Sequence, residues 1–260
     1  MKITISPKSK LFPGFATRIE KEIKDNVTMH NVLLFLSGGS CIKAYPYLAE
    51  SILRLFRNSE DDDIQNLTIL QVDERFQPKK KEDTNAYQME KAGLWKACQK
   101  ANVEYYTVSQ ERSLGDSVEF YNDTMKKFNI SRMPQFDKEG TQRKKKMYQI
   151  GVFGIGEDGH TAGLLRGYES YWNTESFYVG YENSGQFKNR ITLTPCSIKK
   201  MDMIFVLVQG DKKKKVLKKL NHLTMKPCSN EDEKELENKF PAVVLSDIPQ
   251  VEIFTDQKIS

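Results

Sequence analysis

Residues 154–163 read GIGEDGHTAG, and they directly follow an apolar run at residues 148–153. The run predicts a buried strand that ends in a glycine-rich turn. Glycines permit positive φ and close approach of the backbone to a ligand, and the pattern places His160 where the next helix would begin. The alternative interpretation is a plain strand-to-helix connection with a surface histidine, because glycine loops are common and weakly specific.

Strand-like apolar segments recur along the whole chain, at residues 32–36, 67–72, 103–108, 149–153, 190–194, 204–208 and 251–255. Most are separated by segments long enough for a helix, and apolar residues at helical spacing predict helices at 42–57, 85–101, 113–128 and 213–222. This alternation predicts an α/β fold with a mostly parallel sheet covered by helices on both faces. The polar stretches 134–146 and 226–239 are predicted as exposed loops or short surface helices, so residues 1–260 are expected to form one domain.

The composition is that of a globular protein, with 38% hydrophobic and 29% charged residues in 260. No apolar run approaches the ~20 residues of a membrane span, and the first residues lack a signal-peptide pattern. We therefore expect a soluble, cytoplasmic protein that does not interact with membranes. Four scattered cysteines, without metal-ligand spacing, are predicted to be reduced thiols with no structural zinc: Cys41, Cys98, Cys196 and Cys228.

Basic residues cluster at 79–81, 143–146 and 212–215, although the net charge is only +5. Nucleic-acid binding would predict basic residues interleaved with aromatic ones or set on one recognition element. These clusters sit at separate loop or helix-start positions. Solvated loops, with one or two lysines recruited for an anionic small molecule, are the favoured interpretation, and no nucleic-acid partner is expected.

Polar signals follow several predicted strands, and ligands of open α/β sheets gather at the carboxyl ends of strands. After the strand at 32–36 come Gly38, Gly39 and Ser40, whose N–H groups and hydroxyl suit a phosphate. A tight turn explains the same residues equally well. Asp73 and Arg75 follow the next strand, as part of a carboxylate pair beside an arginine. They form either a site, with Arg75 on a phosphate or a developing negative charge, or a structural ion pair.

Two further cations belong to the same pattern. Arg190 opens the strand at 190–194, and Lys213 follows the apolar strand at 204–208 after Gly210. Each is unremarkable alone. A helix running from Lys213 would direct its N-terminus towards the same crevice, which adds N–H donors to the lysine charge.

Taken in order, these motifs resemble the 6-phosphogluconolactonases, within the larger group that also holds the glucosamine-6-phosphate deaminases. The matching motifs span nearly the whole chain: LSGGS (36–40), DERFQP (73–78) with TN (84–85), GIGEDGHTAGL (154–164), RITLT (190–194), GDKK (210–213) and FPA (240–242). The deaminase branch typically has DEY and GHIAFNEP where this chain has DER and GHTAGLLRG, so the lactonase branch fits better.

The resemblance implies a single three-layer αβα domain of Rossmann-like architecture and hydrolysis of a sugar-phosphate lactone. His160 is the candidate general base, because imidazole titrates near working pH. Asp73 would orient either His160 or a substrate hydroxyl. The 6-phosphate would be held by residues already singled out: Gly38, Gly39, Ser40, Arg190 and Lys213. Arg75 would serve either the phosphate or the oxyanion, and we favour the phosphate.

The resemblance implies no metal or other cofactor, a small sugar phosphate as the partner, and a monomer or small homo-oligomer. Two other functions stay open. A glucosamine-6-phosphate deaminase would use an aspartate base on a sugar carbon and release ammonia. A non-catalytic sugar-phosphate-binding protein on the same fold would bind the ligand without turnover.

Overall fold

The computed structural model describes residues 1–56, 66–130, 135–136, 142–143, 147–223 and 230–258. At its centre lies a seven-stranded sheet in which every neighbouring pair of strands is parallel. Its strands are β1 (Lys2–Ile5), β2 (Asn31–Leu36), β3 (Leu67–Gln71), β5 (Glu104–Tyr105), β8 (Met147–Gly154), β11 (Met203–Val208) and β12 (Val251–Thr255). Their spatial order is β1-β12-β11-β8-β2-β3-β5. The predicted mostly parallel sheet is confirmed, although β5 is shorter than the predicted strand at 103–108.

A separate antiparallel sheet begins where the chain leaves β3. It consists of β4 (Asp73–Phe76), β9 (Tyr178–Glu182) and β10 (Asn189–Leu193) in the order β4-β10-β9. A single residue, Val72, separates the end of β3 from the start of β4, so the chain leaves the parallel sheet at its carboxyl edge and turns into the second sheet. The predicted strand at 190–194 therefore exists as β10 but lies outside the parallel sheet. Two short strands, β6 (Gln135–Phe136) and β7 (Gln142–Arg143), pair with each other.

Helices lie on both faces of the parallel sheet. They are α1 (Lys8–Asn26), α2 (Tyr45–Leu55), α3 (Asn85–Lys91), α4 (Leu94–Lys100), α5 (Leu114–Ile130), α6 (Glu169–Trp172), α7 (Pro195–Ile198), α8 (Lys214–Leu223) and α9 (Asn230–Lys239). The single helix predicted at 85–101 is wrong, because Gly93 adopts a left-handed conformation (φ 88°) that separates α3 from α4. No helix in the described ranges is long and apolar enough to cross a membrane.

Strand β2 shows how the layers are packed, because its residues alternate between two hydrophobic cores. Leu33 and Phe35 join the core on the side of α5 and α8, and Val32 and Leu34 join the core beneath α1 and α2. All four side chains are almost fully buried. The three-layer αβα, Rossmann-like fold is therefore confirmed.

Parts of some predictions lie outside the described residues. These are residue 134, 137–141 and 144–146 of the polar stretch at 134–146, and 226–229 of the one at 226–239, with Cys228. The other three cysteines are free in the structure. The lysines at 79–81 are exposed, as predicted for a solvated loop.

The strand order reverses between β2 and β8. From β2 the chain continues to β3 on one side, and from β8 it continues to β11 on the other. Connections that diverge in this way leave a crevice at the carboxyl ends of the two strands, which is where open α/β sheets bind ligands.

Glu74 ties β4 to α3 at this edge. Its carboxylate is fully buried. Four N–H groups donate to it, from the backbone of Arg75, Asn85 and Ala86 and the side chain of Gln71, at 2.6, 2.5, 2.8 and 2.8 Å. Burial raises the pKa of Glu74 to about 7, and the four N–H donors oppose that rise. The Asp-Glu pair thus includes a structural carboxylate that satisfies the first turn of α3.

We expect Glu74→Gln to lower the free energy of unfolding by about 2–4 kcal/mol at pH 8, because an amide keeps only one acceptor oxygen and leaves two of the four donors unpaired. Glu82→Gln is the matched control, since Glu82 is exposed beside α3 and should change stability by less than about 0.5 kcal/mol. Urea unfolding of both variants measures the difference. Equal stability of the two variants would contradict the capping role.

Candidate active site

A cavity of about 370 Å³ occupies the crevice between β2 and β8. Its lining comes from segments that follow four adjacent strands: Gly38 after β2, Asp73 after β3, His160 after β8 and Lys213 after β11. Arg75 and Arg190, from the antiparallel sheet, complete the lining. One end of the parallel sheet therefore collects all the chemistry-bearing segments of the sequence. In the described ranges, no three His, Cys, Asp or Glu side chains lie close enough to hold a metal ion.

The segment after β2 approaches α3 closely. Gly39 to Ala44 form a 3-10 helix, and Gly38 precedes it. A Cβ built on Gly38 would lie 2.0 Å from the Asn85 side-chain oxygen, so only glycine allows Asn85 to pack here. The hydroxyl of Tyr45 donates to the carbonyl of Ser37 and fixes the start of the segment.

Asp73 is oriented by two neighbours. Its carboxylate accepts the Ser37 hydroxyl at 2.8 Å and the Asn85 side-chain amide at 3.2 Å. It is about 5% exposed and lines the cavity. No hydrogen bond joins Asp73 to His160 in the described structure, so the option that Asp73 orients His160 receives no support.

His160 is oriented by Asp158 instead. The ring Nδ1 lies 2.6 Å from Asp158 Oδ1, which also accepts the His160 backbone N–H at 3.2 Å. The hydrogen bond from His160 lowers the pKa of Asp158 to about 2, so this carboxylate is ionised at neutral pH. Asp158 is a residue that the sequence analysis missed, although its position two residues before the histidine is a local signal for this contact.

The turn that carries His160 is closed by its own backbone and braced by a distant segment. Gly156 N–H donates to the His160 carbonyl at 2.7 Å. Ala242 N–H donates to the Gly159 carbonyl at 2.9 Å, while the Phe240 ring packs where a Gly159 side chain would be. The expectation that a helix begins at His160 is wrong, because these contacts hold a turn and α6 starts only at Glu169.

Arg75 and Arg190 face each other across the antiparallel sheet as direct cross-strand partners. No ion pair involves either one in the described structure. Arg75 donates to the Asp83 carbonyl at 3.3 Å. Burial lowers the pKa of Arg190, with Arg75 lowering it further and Asp73 opposing, and the Nε of Arg190 is buried without a partner. Two neighbouring guanidinium groups without counter-ions can together bind a doubly charged anion such as a phosphate.

Lys213 reaches the cavity from a 3-10 helix at Asp211–Lys213, directly before α8. Its ammonium donates to the carbonyl of Ile155, next to the turn that carries His160. Burial lowers the pKa of Lys213, and the acidic residues Glu157 and Asp158 oppose the change. The charge of Lys213 therefore lies between the β8 turn and the start of α8.

The structure brings all eight predicted site residues to this one cavity: Gly38, Gly39, Ser40, Asp73, Arg75, His160, Arg190 and Lys213. Their chemical roles stay predictions. Three residues at this site were not predicted from the sequence: Asp158, Asn85 and Phe187. Asn85 was visible only as part of a motif, and Phe187 had no local signal.

The family model described as glucosamine-6-phosphate isomerases/6-phosphogluconolactonase matches residues 6–245, which confirms the resemblance carried by the motifs. No curated protein sequence matches the chain.

Solved structures share the fold. A 6-phosphogluconolactonase from Plasmodium vivax has a TM-score of 0.72 at 15% identity, covering 96% of this chain and 88% of its own. One from Shewanella baltica has a TM-score of 0.68 at 18% identity, covering 98% and 96%. A monomeric glucosamine-6-phosphate deaminase has a TM-score of 0.64 at 16% identity, covering 100% and 98%. At these identities the likeness establishes the fold alone.

We expect Gly156→Ala to break the contact between His160 and Asp158, because the new Cβ would lie 2.1 Å from His160 Nδ1 and 2.4 Å from Asp158 Oδ1. A crystal structure of the variant should show these two atoms more than about 3.5 Å apart. Gly14→Ala in α1 is the control, since no atom lies within 4 Å of its Cβ position. An unchanged His160–Asp158 contact in Gly156→Ala would contradict this packing.

Proposed function

The chain belongs to the glucosamine-6-phosphate isomerase/6-phosphogluconolactonase family, and we propose that it hydrolyses 6-phospho-D-glucono-1,5-lactone to 6-phosphogluconate in the oxidative pentose phosphate pathway. One observation carries the proposal: an imidazole oriented by an ionised carboxylate shares a cavity with two arginines that have no counter-ion. The imidazole can act on a neutral ester while the arginines bind a phosphate group of the same small molecule.

The proton transfers run through His160. With Nδ1–H donating to Asp158, Nε2 is left to take a proton from water, and the resulting hydroxide attacks the lactone carbonyl. The tetrahedral oxyanion then expels the ring oxygen, which takes the proton back from the imidazolium. Asp158 stabilises that imidazolium and holds the ring in the tautomer that the reaction needs.

In this proposal the charged side chains contact two parts of the substrate, the 6-phosphate and the sugar ring. Arg190, Lys213 and the segment Gly38, Gly39, Ser40 bind the 6-phosphate in this proposal, with Arg75 beside them. Asp73, fixed by Ser37 and Asn85, accepts a substrate hydroxyl. Backbone N–H groups of the turns supply further donors for the oxyanion.

The same proposal covers domain organisation, location and assembly. Residues 1–260 act as one domain, and the enzyme is a cytoplasmic monomer or small homo-oligomer that needs no cofactor.

A glucosamine-6-phosphate deaminase is the second candidate, favoured by the deaminase whose fold matches 100% of this chain and by the buried carboxylate of Asp73. In that reaction Asp73 would take a proton from the sugar. Against it stands Arg75 in the position where the deaminase branch typically has tyrosine.

The assay that separates these functions uses two substrates. Freshly generated 6-phosphogluconolactone should disappear faster with the protein than by spontaneous hydrolysis, and glucosamine 6-phosphate should release no ammonia. Ammonia release with no lactone hydrolysis would establish the deaminase. Binding of 6-phosphogluconate without either turnover would establish a non-catalytic binding protein.

We expect His160→Ala to lower kcat on the lactone by about 10²- to 10⁴-fold, because it removes the base. Asp158→Asn should lower kcat by at least about tenfold, because an amide no longer holds the imidazole in the required tautomer. His222→Ala, at an exposed histidine of α8, is the control and should keep wild-type turnover. Wild-type turnover by a folded His160→Ala protein would disprove the assignment of the base.

Arg75→Lys distinguishes a phosphate ligand from an oxyanion ligand. We expect KM for the lactone to rise about tenfold with kcat nearly unchanged, because a point charge replaces a planar fork that fits a phosphate. Arg112→Lys, an arginine stacked on Phe120, is the matched control. If kcat collapses while KM holds, Arg75 acts on the oxyanion.

A further inference from the structure

Phe187 lies against both arginines of the cavity. The guanidinium carbon of Arg75 is 4.3 Å from the centre of the Phe187 ring, and that of Arg190 is 5.4 Å from it. The ring lines the cavity itself. These distances fall within the range in which an aromatic ring attracts a cation through its negative face.

The two arginines need such a partner. They are directly opposite each other on neighbouring strands, where like charges repel. Burial and the charge of Arg75 both lower the pKa of Arg190, and no carboxylate pairs with either guanidinium in the described residues. Without an attractive surface, the two side chains would separate and one would turn towards water.

The loop that carries Phe187 is built to hold it in place. Asn183 is about 5% exposed, and its side-chain amide donates to the carbonyls of Phe187 and Lys188, each at 2.8 Å. Its backbone N–H donates to Lys188 O at 2.7 Å, and its side-chain oxygen accepts Gly185 N–H at 2.8 Å. Asn183 therefore closes the connection between β9 and β10 and fixes the backbone from which the ring projects.

We propose that Phe187 is a positioning residue whose ring holds the guanidinium groups of Arg75 and Arg190 side by side as one clamp for the phosphate of the substrate. The inference rests on the proposed function for the identity of the anion. The ring bears no charge and leaves the donors of both arginines free, which a carboxylate in its place would not do. The two guanidinium groups are therefore already in position before the phosphate binds.

Two variants at this position separate the ring's electrostatic role from its packing role. Phe187→Leu keeps an apolar side chain of similar bulk but removes the aromatic face, and Phe187→Tyr keeps the face. Calorimetric titration with inorganic phosphate should give an affinity about tenfold lower for Phe187→Leu and near that of wild type for Phe187→Tyr. On the lactone, Phe187→Leu should raise KM by a similar factor and leave kcat nearly unchanged.

Phe120→Leu is the matched control, because the Phe120 ring lies 4.5 Å from the Arg112 guanidinium carbon and neither residue lines the cavity. It should bind phosphate as the wild type does. Unchanged phosphate affinity in Phe187→Leu, equal loss in both Phe187 variants, or no phosphate binding by the wild type would overturn the inference. The titration needs no turnover. If the phosphate affinities of the wild type and variants are as expected but the wild type does not hydrolyse the lactone, only the proposed function is contradicted.

Discussion

The buried carboxylate of Glu74 is the contact on which the arrangement of the cavity depends. It accepts four N–H groups from three segments: the end of β3, the start of β4 and the first turn of α3. Asp73 and Arg75 flank it in the chain, and Asn85 is one of its donors. A single desolvated charge therefore fixes the relative positions of a carboxylate, a cation and the amide that orients the carboxylate. The four N–H donors offset part of the cost of burying this carboxylate.

The cavity has an asymmetric charge distribution. Three carboxylates at or near it accept local hydrogen bonds: Asp73 from Ser37 and Asn85, Asp158 from His160, and Glu74 from the α3 amides. The cations Arg75, Arg190 and Lys213 instead contact carbonyl groups or an aromatic ring, and none forms an ion pair in the described part of the chain. Positive charge is thus left available to an anionic ligand.

Sequence patterns identified six of the seven strands of the parallel sheet, since buried strands are continuous apolar runs. Strand β1 was not predicted, because its residues are exposed or only partly buried and form no apolar run. The patterns did less well where local propensity and tertiary packing compete. Helix α1 was not among the predicted helices, and Pro13 in its interior disfavours such a prediction. Gly93 interrupts a pattern whose apolar spacing continues across the break, so the spacing alone indicated one helix instead of two.

The sequence by itself determined which segments meet at the site, because the carboxyl ends of parallel strands share one edge and the motifs follow those ends in order. That is why seven of the eight predicted residues line one cavity, and Arg190 reaches the same cavity from β10, outside the parallel sheet. Only the tertiary structure decided their partners. The pairing of β10 with β4, which sets Arg190 opposite Arg75, and the position of Phe187 beside both depend on strand register between distant segments. Register and side-chain contact are set by packing across the fold, and no local pattern encodes them.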